Sequence, residues 1–259
     1  MVPPGVVTVA RVSERLTTDP LLPLLDLPGV TDAVTAARDA VDQVHRHPAN
    51  RRGWPATAAE ASVRAARASA AIDGGAVTIP AAGTVSDPVL AGALRVAEAI
   101  GPMLGTWQRA PLQALARLHM LAAADLTDPE KLGRPKAERG VPARLDLLAG
   151  FVSGGTSVPA PVLAAVVHGE LLTLAPFGSA DGVVARAAAR LTLIATGLDP
   201  KGLVVPEVAF LRRGDRYPAA ARAFASGVPA GVAEWLVFCC TAIADGAKEA
   251  VSIAEAANG

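Results

Sequence analysis

The chain of 259 residues lacks an excess of either charge: Lys plus Arg and Asp plus Glu are 24 each. A net charge of zero leaves no electrostatic footprint for nucleic acid or an anionic membrane, and neither is expected as a partner. Cysteine is nearly absent. Cys239 and Cys240 are adjacent, a placement that strains any bridge between them. No disulfide framework follows, which fits a reducing compartment. Histidine is limited to four residues. There is no CxxC, HExxH, Walker loop or GxGxxG, so no metal site is expected. Residues 1–16 have no basic start followed by a long apolar stretch and do not read as a signal peptide. Residues 158–177 are apolar but hold His168, Glu170 and three prolines. A bilayer span needs ~20 mostly apolar residues without charges, so this run is not expected to cross a membrane. A cytoplasmic location is expected.

What the sequence does have is helix signal. Hydrophobic residues make up 51% and charged residues 19%, enough for a sizeable core in one large domain or a domain with an extension. Val30, Val34, Ala37, Val41 and Val44 step by three and four along one helix face, with Thr31 or Asp32 as cap and Pro48 as stop. Further helices are predicted over about 58–72, 88–104 (Asp87 capping, Pro88 first) and 111–124, then 143–152, 161–174, 183–196, 206–212, 217–226 and 229–257, the last with a break. Residues 77–80 are the one plausible short strand. Residues 127–141 are polar and proline-punctuated, hence a loop whose 132–136 part could act as an edge or flap. His45 and His47, two apart, do not share a helix face and read as a polar helix end. Glu60 and Arg64 are spaced for a surface ion pair. Arg51-Arg52 and Arg212-Arg213 read as solvated.

The segment Ala175-Pro176-Phe177-Gly178-Ser179-Ala180-Asp181-Gly182-Val183-Val184-Ala185-Arg186 joins two helices. A loop that ends at a helix N-terminus offers unpaired N–H groups and partial positive charge to an anion. Gly178 and Gly182 allow tight turning, Arg186 can reach back toward the loop, and Arg190 shares its face. The same residues also make an ordinary helix corner with Pro176-Phe177 as an apolar plug.

The segment resembles the signature loop of the Fic family, HPFx[DE]GNGRxxR. Pro176, Phe177, Gly182 and Arg186 match. Where the family has its general base this chain has Ala175, at the metal-holding acidic position Ser179, at the first glycine Ala180, at the asparagine Asp181 and at the first arginine Val183. Ser69-Ala70-Ala71-Ile72-Asp73-Gly74 resembles the family's inhibitory [ST]xxxE[GN] segment, with Asp for Glu. Its acid would pair with the second signature arginine, here Arg186. His168, seven residues before Ala175, stands at a family His-aromatic pair with Gly169 for the aromatic. Leu118-His119, residues 133–136 (the flap region), Arg216-Tyr217-Pro218 and Glu234-Trp235-Leu236 continue the likeness across roughly 55–250. His119, His168, Trp235, Leu236 and Phe238 read as packing residues.

The resemblance implies an all-α, Fic-like helical bundle with at most one small β-hairpin, the flap. Residues 1–54 would be a helical extension on a 55–259 Fic-like domain. Losing the base typically costs ~10²–10⁴ in rate, so no AMP transfer is expected and no catalytic residue is assigned. A pseudoenzyme is the leading expectation, acting through a protein partner at the flap, a homodimer, or a nucleotide or anion held by Phe177, Gly178, Ser179, Asp181, Gly182 and Arg186. No cofactor is expected unless residual binding of ATP with magnesium survives. Two competitors are a transferase of nucleotidyl, phosphoryl or phosphocholine groups rewired on Ser179 and Asp181, and a scaffold whose loop is filled by Phe177 and Val183.

Overall fold

The computed structural model describes residues 19–81 and 84–258; residues 1–18 of the expected extension lie outside them. Prolines open most of the helices, because the first helical N–H has no partner to lose. After a 3₁₀ turn at Leu22–Asp26, the helices are α1 (Val30–Arg46), α2 (Trp54–Ile72), α3 (Pro88–Arg109), α4 (Pro111–Ala122), α5 (Val141–Gly150), α6 (Ala160–Leu174), α7 (Asp181–Ala195), α8 (Pro206–Arg212), α9 (Arg216–Ala225) and α10 (Pro229–Asn258). The Asp87 side chain caps α3, accepting from Leu90 N at 2.7 Å.

No strand occurs among the described residues. Residues 77–80 find no partner strand; the Val77 carbonyl instead accepts from Arg67 Nε. The 132–136 segment makes one backbone bond to the loop after α6, from Lys136 N to the Pro176 carbonyl at 2.8 Å, rather than a hairpin. The break expected near the C-terminus is absent. α10 runs unbroken through Gly246, whose carbonyl also accepts from Val205 N, tying the start of α8 to its flank. α2 begins four residues before its predicted start, with Pro55 in its first turn, and α1 follows Gly29 rather than Thr31 or Asp32.

α6 and α7 are the centre of the bundle. They pack on each other and are buried on nearly every side. α3 lies on α2, α4 and α7, and α10 runs past α1, α6, α8 and α9. The predicted α1 stripe faces α10, and Val30, Val34, Val41 and Val44 are at most 5% exposed. Burial of each valine contributes about 1.5 kcal/mol or more to that contact. Trp235 is fully buried, its indole N–H bonded to the Ala165 carbonyl of α6 at 2.8 Å. α3 and α10 have the length and apolarity of a bilayer span, but both have packing neighbours in the bundle. Cys239 and Cys240 are buried free thiols. Arg213, read as solvated, is instead half-buried, paired with Asp245 and lying over the Phe238 ring.

Candidate functional site

The loop between α6 and α7 turns through three left-handed residues: Ala175 (φ 40°), Gly178 (φ 78°) and Ala180 (φ 52°). Alanine pays about 1–2 kcal/mol for that conformation, so the surrounding contacts must enforce it. The first of those contacts is Asp181, the opening residue of α7. Its carboxylate folds back to accept from Phe177 N at 2.9 Å and Gly178 N at 2.7 Å. A negative group at a helix N-terminus is favoured by the dipole and the unpaired amides. Here the chain supplies that anion itself. Burial raises the Asp181 carboxyl above its ordinary value, against the pull of the two amides and of Lys136.

A second carboxylate lies on the first turn of α7. Asp73, at the end of α2 beside the left-handed Gly74 (φ 83°), sits over Gly182. A Cβ at Gly182 would come within 2.5 Å of Asp73 Oδ2, so only glycine admits this approach. The same oxygen pairs with Arg186 Nη2 at 2.8 Å. Arg186 is 2% exposed. It also donates from Nε to Ser69 Oγ at 2.8 Å, from Nη2 to the Ser69 carbonyl at 2.9 Å, and from Nη1 to Tyr217 Oη at 3.4 Å. Burial opposes its charge, but Tyr217 and Asp73 outweigh that and hold the guanidinium above its ordinary value.

Tyr217 passes the network on to His168, whose Nε2 lies 2.7 Å from the phenol oxygen. Burial pushes the Tyr217 phenol up to about 12. Burial, then Arg186, hold His168 well below the ordinary histidine value. His168 is therefore a neutral core group, sealed from any substrate. Ser69, Asp73, Arg186, Tyr217 and His168 thus bind α2, α6, α7 and α9 into one unit.

On the other side of the loop, His119 of α4 is fully buried and stacks on Phe177, ring centroids 4.2 Å apart and planes 6° from parallel. Gly133 N donates to its Nδ1 at 2.9 Å, which places the ring proton on Nε2, 3.1 Å from Ser179 Oγ. The imidazole therefore donates to Ser179 and cannot take its proton, so this pair is not a Ser-His nucleophile. Lys136 lies along Gly178: its Cε is 3.0 Å from where a Cβ there would stand.

Val183 is 3% exposed, in the core. It lines a cavity of about 30 Å³ with Ser69, Arg190 and Glu207. Arg190 is buried too but turns away from the loop to the Gly202 carbonyl at 2.7 Å. Glu207 Oε2 is buried with no hydrogen-bond partner among the described residues. Around the loop the structure thus gathers Ala175, Phe177, Gly178, Ser179, Asp181, Gly182, Arg186, Ser69, Asp73 and Gly74. Lys136, His119 and Tyr217 complete the arrangement. Their roles carried no local signal, since each depends on a partner tens of residues away.

Among the described residues no cluster of three His, Cys, Asp or Glu side chains could hold a metal ion. Ser179 is bonded to His119, and Asp181 to two amides of its own loop. This donor set does not fit the magnesium nucleotide that the signature loop would imply.

No protein-family model matches the sequence, and no curated protein matches it. Solved structures do. A Fic family protein from Desulfovibrio desulfuricans G20 matches with a TM-score of 0.72 at 20% identity, covering 87% of this chain and 74% of that one. Fic-1 (residues 134–508) of C. elegans gives 0.65 at 13% identity, covering 88% and 73%. A Fic domain containing signaling protein of Bacteroides thetaiotaomicron VPI-5482 gives 0.53 at 13%, covering 86% and 98%. The chain has a Fic-like helical fold.

Proposed function

We propose that this Fic-like protein transfers no nucleotide and acts by binding, with another protein as its ligand. The observation that carries the reading is the double occupation of the loop by the chain's own carboxylates. Asp181 takes the Phe177 and Gly178 amides, and Asp73 covers Gly182 and pairs with Arg186. A phosphate chain would have to displace two anions, one of them paired with a buried guanidinium. Ala175 offers no base, and Val183, an apolar core residue, offers no phosphate-binding cation at its position. The nucleotide arm of the expected binding role is thereby weakened. What remains outward is the 132–139 segment lying over the loop, where a partner chain can dock.

The test is transfer of label from ATP labelled at the α-phosphate to proteins of a cell lysate, with magnesium and with manganese. No label above a heat-inactivated control is expected. Labelling that disappears in Asp181→Ala would overturn the reading in favour of a rewired transferase.

A further inference from the structure

The segment 131–139 crosses the loop as a strap, and two hydrogen bonds tie it there. One is the backbone bond from Lys136 N to the Pro176 carbonyl at 2.8 Å. The other is the bond from Gly133 N to His119 Nδ1 at 2.9 Å. Gly133 is left-handed (φ 71°), and a Cβ there would stand 3.0 Å from Met120 Cγ and 3.1 Å from the Ala116 carbonyl. The strap therefore lies directly on α4. Beyond residue 133 it is largely exposed, with no regular structure. The second of these two bonds ends on an imidazole ring.

That ring is committed on every side. Nδ1 accepts from the strap, Nε2 donates to Ser179 and the face stacks on Phe177. A neutral imidazole satisfies this arrangement. An imidazolium cannot, because both ring nitrogens are then donors and the Nδ1–H would meet the Gly133 N–H head-on. The geometry points to His119 as the latch of a proton-sensitive strap: when the ring takes up a proton the Gly133 bond breaks, and residues 131–139 are left on the Lys136 bond alone and loosen from the loop.

The charged groups on the surrounding elements are Lys131, Arg134, Lys136, Glu138 and Arg139 on the strap, Asp181 at the head of α7, Asp73 at the end of α2, and Arg117 on the exposed side of α4. Burial lowers the His119 value, and Ser179 offsets part of that. Release accordingly belongs to mildly acidic conditions, below the ordinary histidine range of about 6.5. A partner that docks on the strap would lose its platform in acid, and one that needs the loop uncovered would gain it. The inference stands on the strap contacts alone and holds whether or not the loop binds a nucleotide.

The test is amide hydrogen exchange at Gly133 and Lys136, read residue by residue by NMR at about pH 7.5 and about pH 5 and corrected for intrinsic exchange. Loss of one latching bond is expected to lower protection at both amides about fivefold or more in acid. His119→Asn keeps an acceptor that does not titrate, and is expected to keep its protection unchanged between the two conditions. His119→Phe keeps the stack without an acceptor, and is expected to be unprotected at both. Should a variant not fold, the wild type decides by itself, with Leu118 in α4 as internal reference. Protection falling at Gly133 and Lys136 but not at Leu118 supports the latch. Equal behaviour of all three amides, or an acid response that persists in His119→Asn, overturns it.

Discussion

Replacing Asp73 by alanine strips the counterion from a guanidinium that is 2% exposed. Breaking one side of a buried pair typically costs about 3–5 kcal/mol. Two features move this site toward the low end. The Asp73 side chain is 26% exposed, so water can reach the gap. Ser69 also keeps accepting through its hydroxyl and its carbonyl. An acid at a helix C-terminus is itself unfavourable by about 0.3–1 kcal/mol, which the substitution relieves. The net expectation is a loss of about 2–3 kcal/mol, or roughly 5–10 °C in Tm for a chain of this size. Urea unfolding followed by circular dichroism would measure it. A cycle with Arg186→Met would isolate the pair, with an expected coupling of about 2 kcal/mol. Asp73→Ala costing under about 0.5 kcal/mol, or strict additivity with Arg186→Met, would refute the claim that this pair locks α2 to α7.

Other consequences can be checked separately. Asp181→Asn removes the internal anion from the Phe177 and Gly178 amides, so pyrophosphate, expected not to bind the native chain at millimolar concentration, should gain detectable affinity by calorimetry. His168 stays neutral in the fold while the unfolded chain protonates near 6.5, so its contribution is complete above that value. It is lost as pH falls below, with a slope of up to about 1.4 kcal/mol per pH unit; urea midpoints across the range should show it, and His168→Asn should flatten it. Gly169→Ala would drive a Cβ to 2.7 Å from Phe224 Cδ1 and from Trp235 Nε1. The expected cost is about 1–3 kcal/mol of overpacking, with the Trp235 bond to Ala165 disturbed, visible in thermal melts and tryptophan fluorescence.

Most of the helix pattern was legible because proline and hydrophobic period both act locally. Pro88, Pro111, Pro206 and Pro229 each open a helix where the sequence places one. The break expected in the last helix does not occur: α10 is continuous, and its Gly246 sits against the start of α8. The contact of Asp73 with Arg186 was foreseeable only through the family resemblance, since 113 positions separate the two and no spacing rule reaches that far. Asp181 stands where the family loop has its asparagine. Its turn back onto its own loop goes with the left-handed Ala175, Gly178 and Ala180, and a run containing two alanines gives no notice of that conformation. From the sequence His119 reads as a packing residue. Its bonds to Gly133 and Ser179 arise from three segments meeting, which composition cannot encode.

The central claim is that the chain's own carboxylates hold the positions a nucleotide would need. Isothermal calorimetry of magnesium ATP against the native chain and against Asp181→Asn tests it most directly. The account predicts no binding to the native chain in the low millimolar range and measurable binding only once Asp181 is replaced. Micromolar affinity in the native chain, weakened by Asp181→Asn, would contradict it.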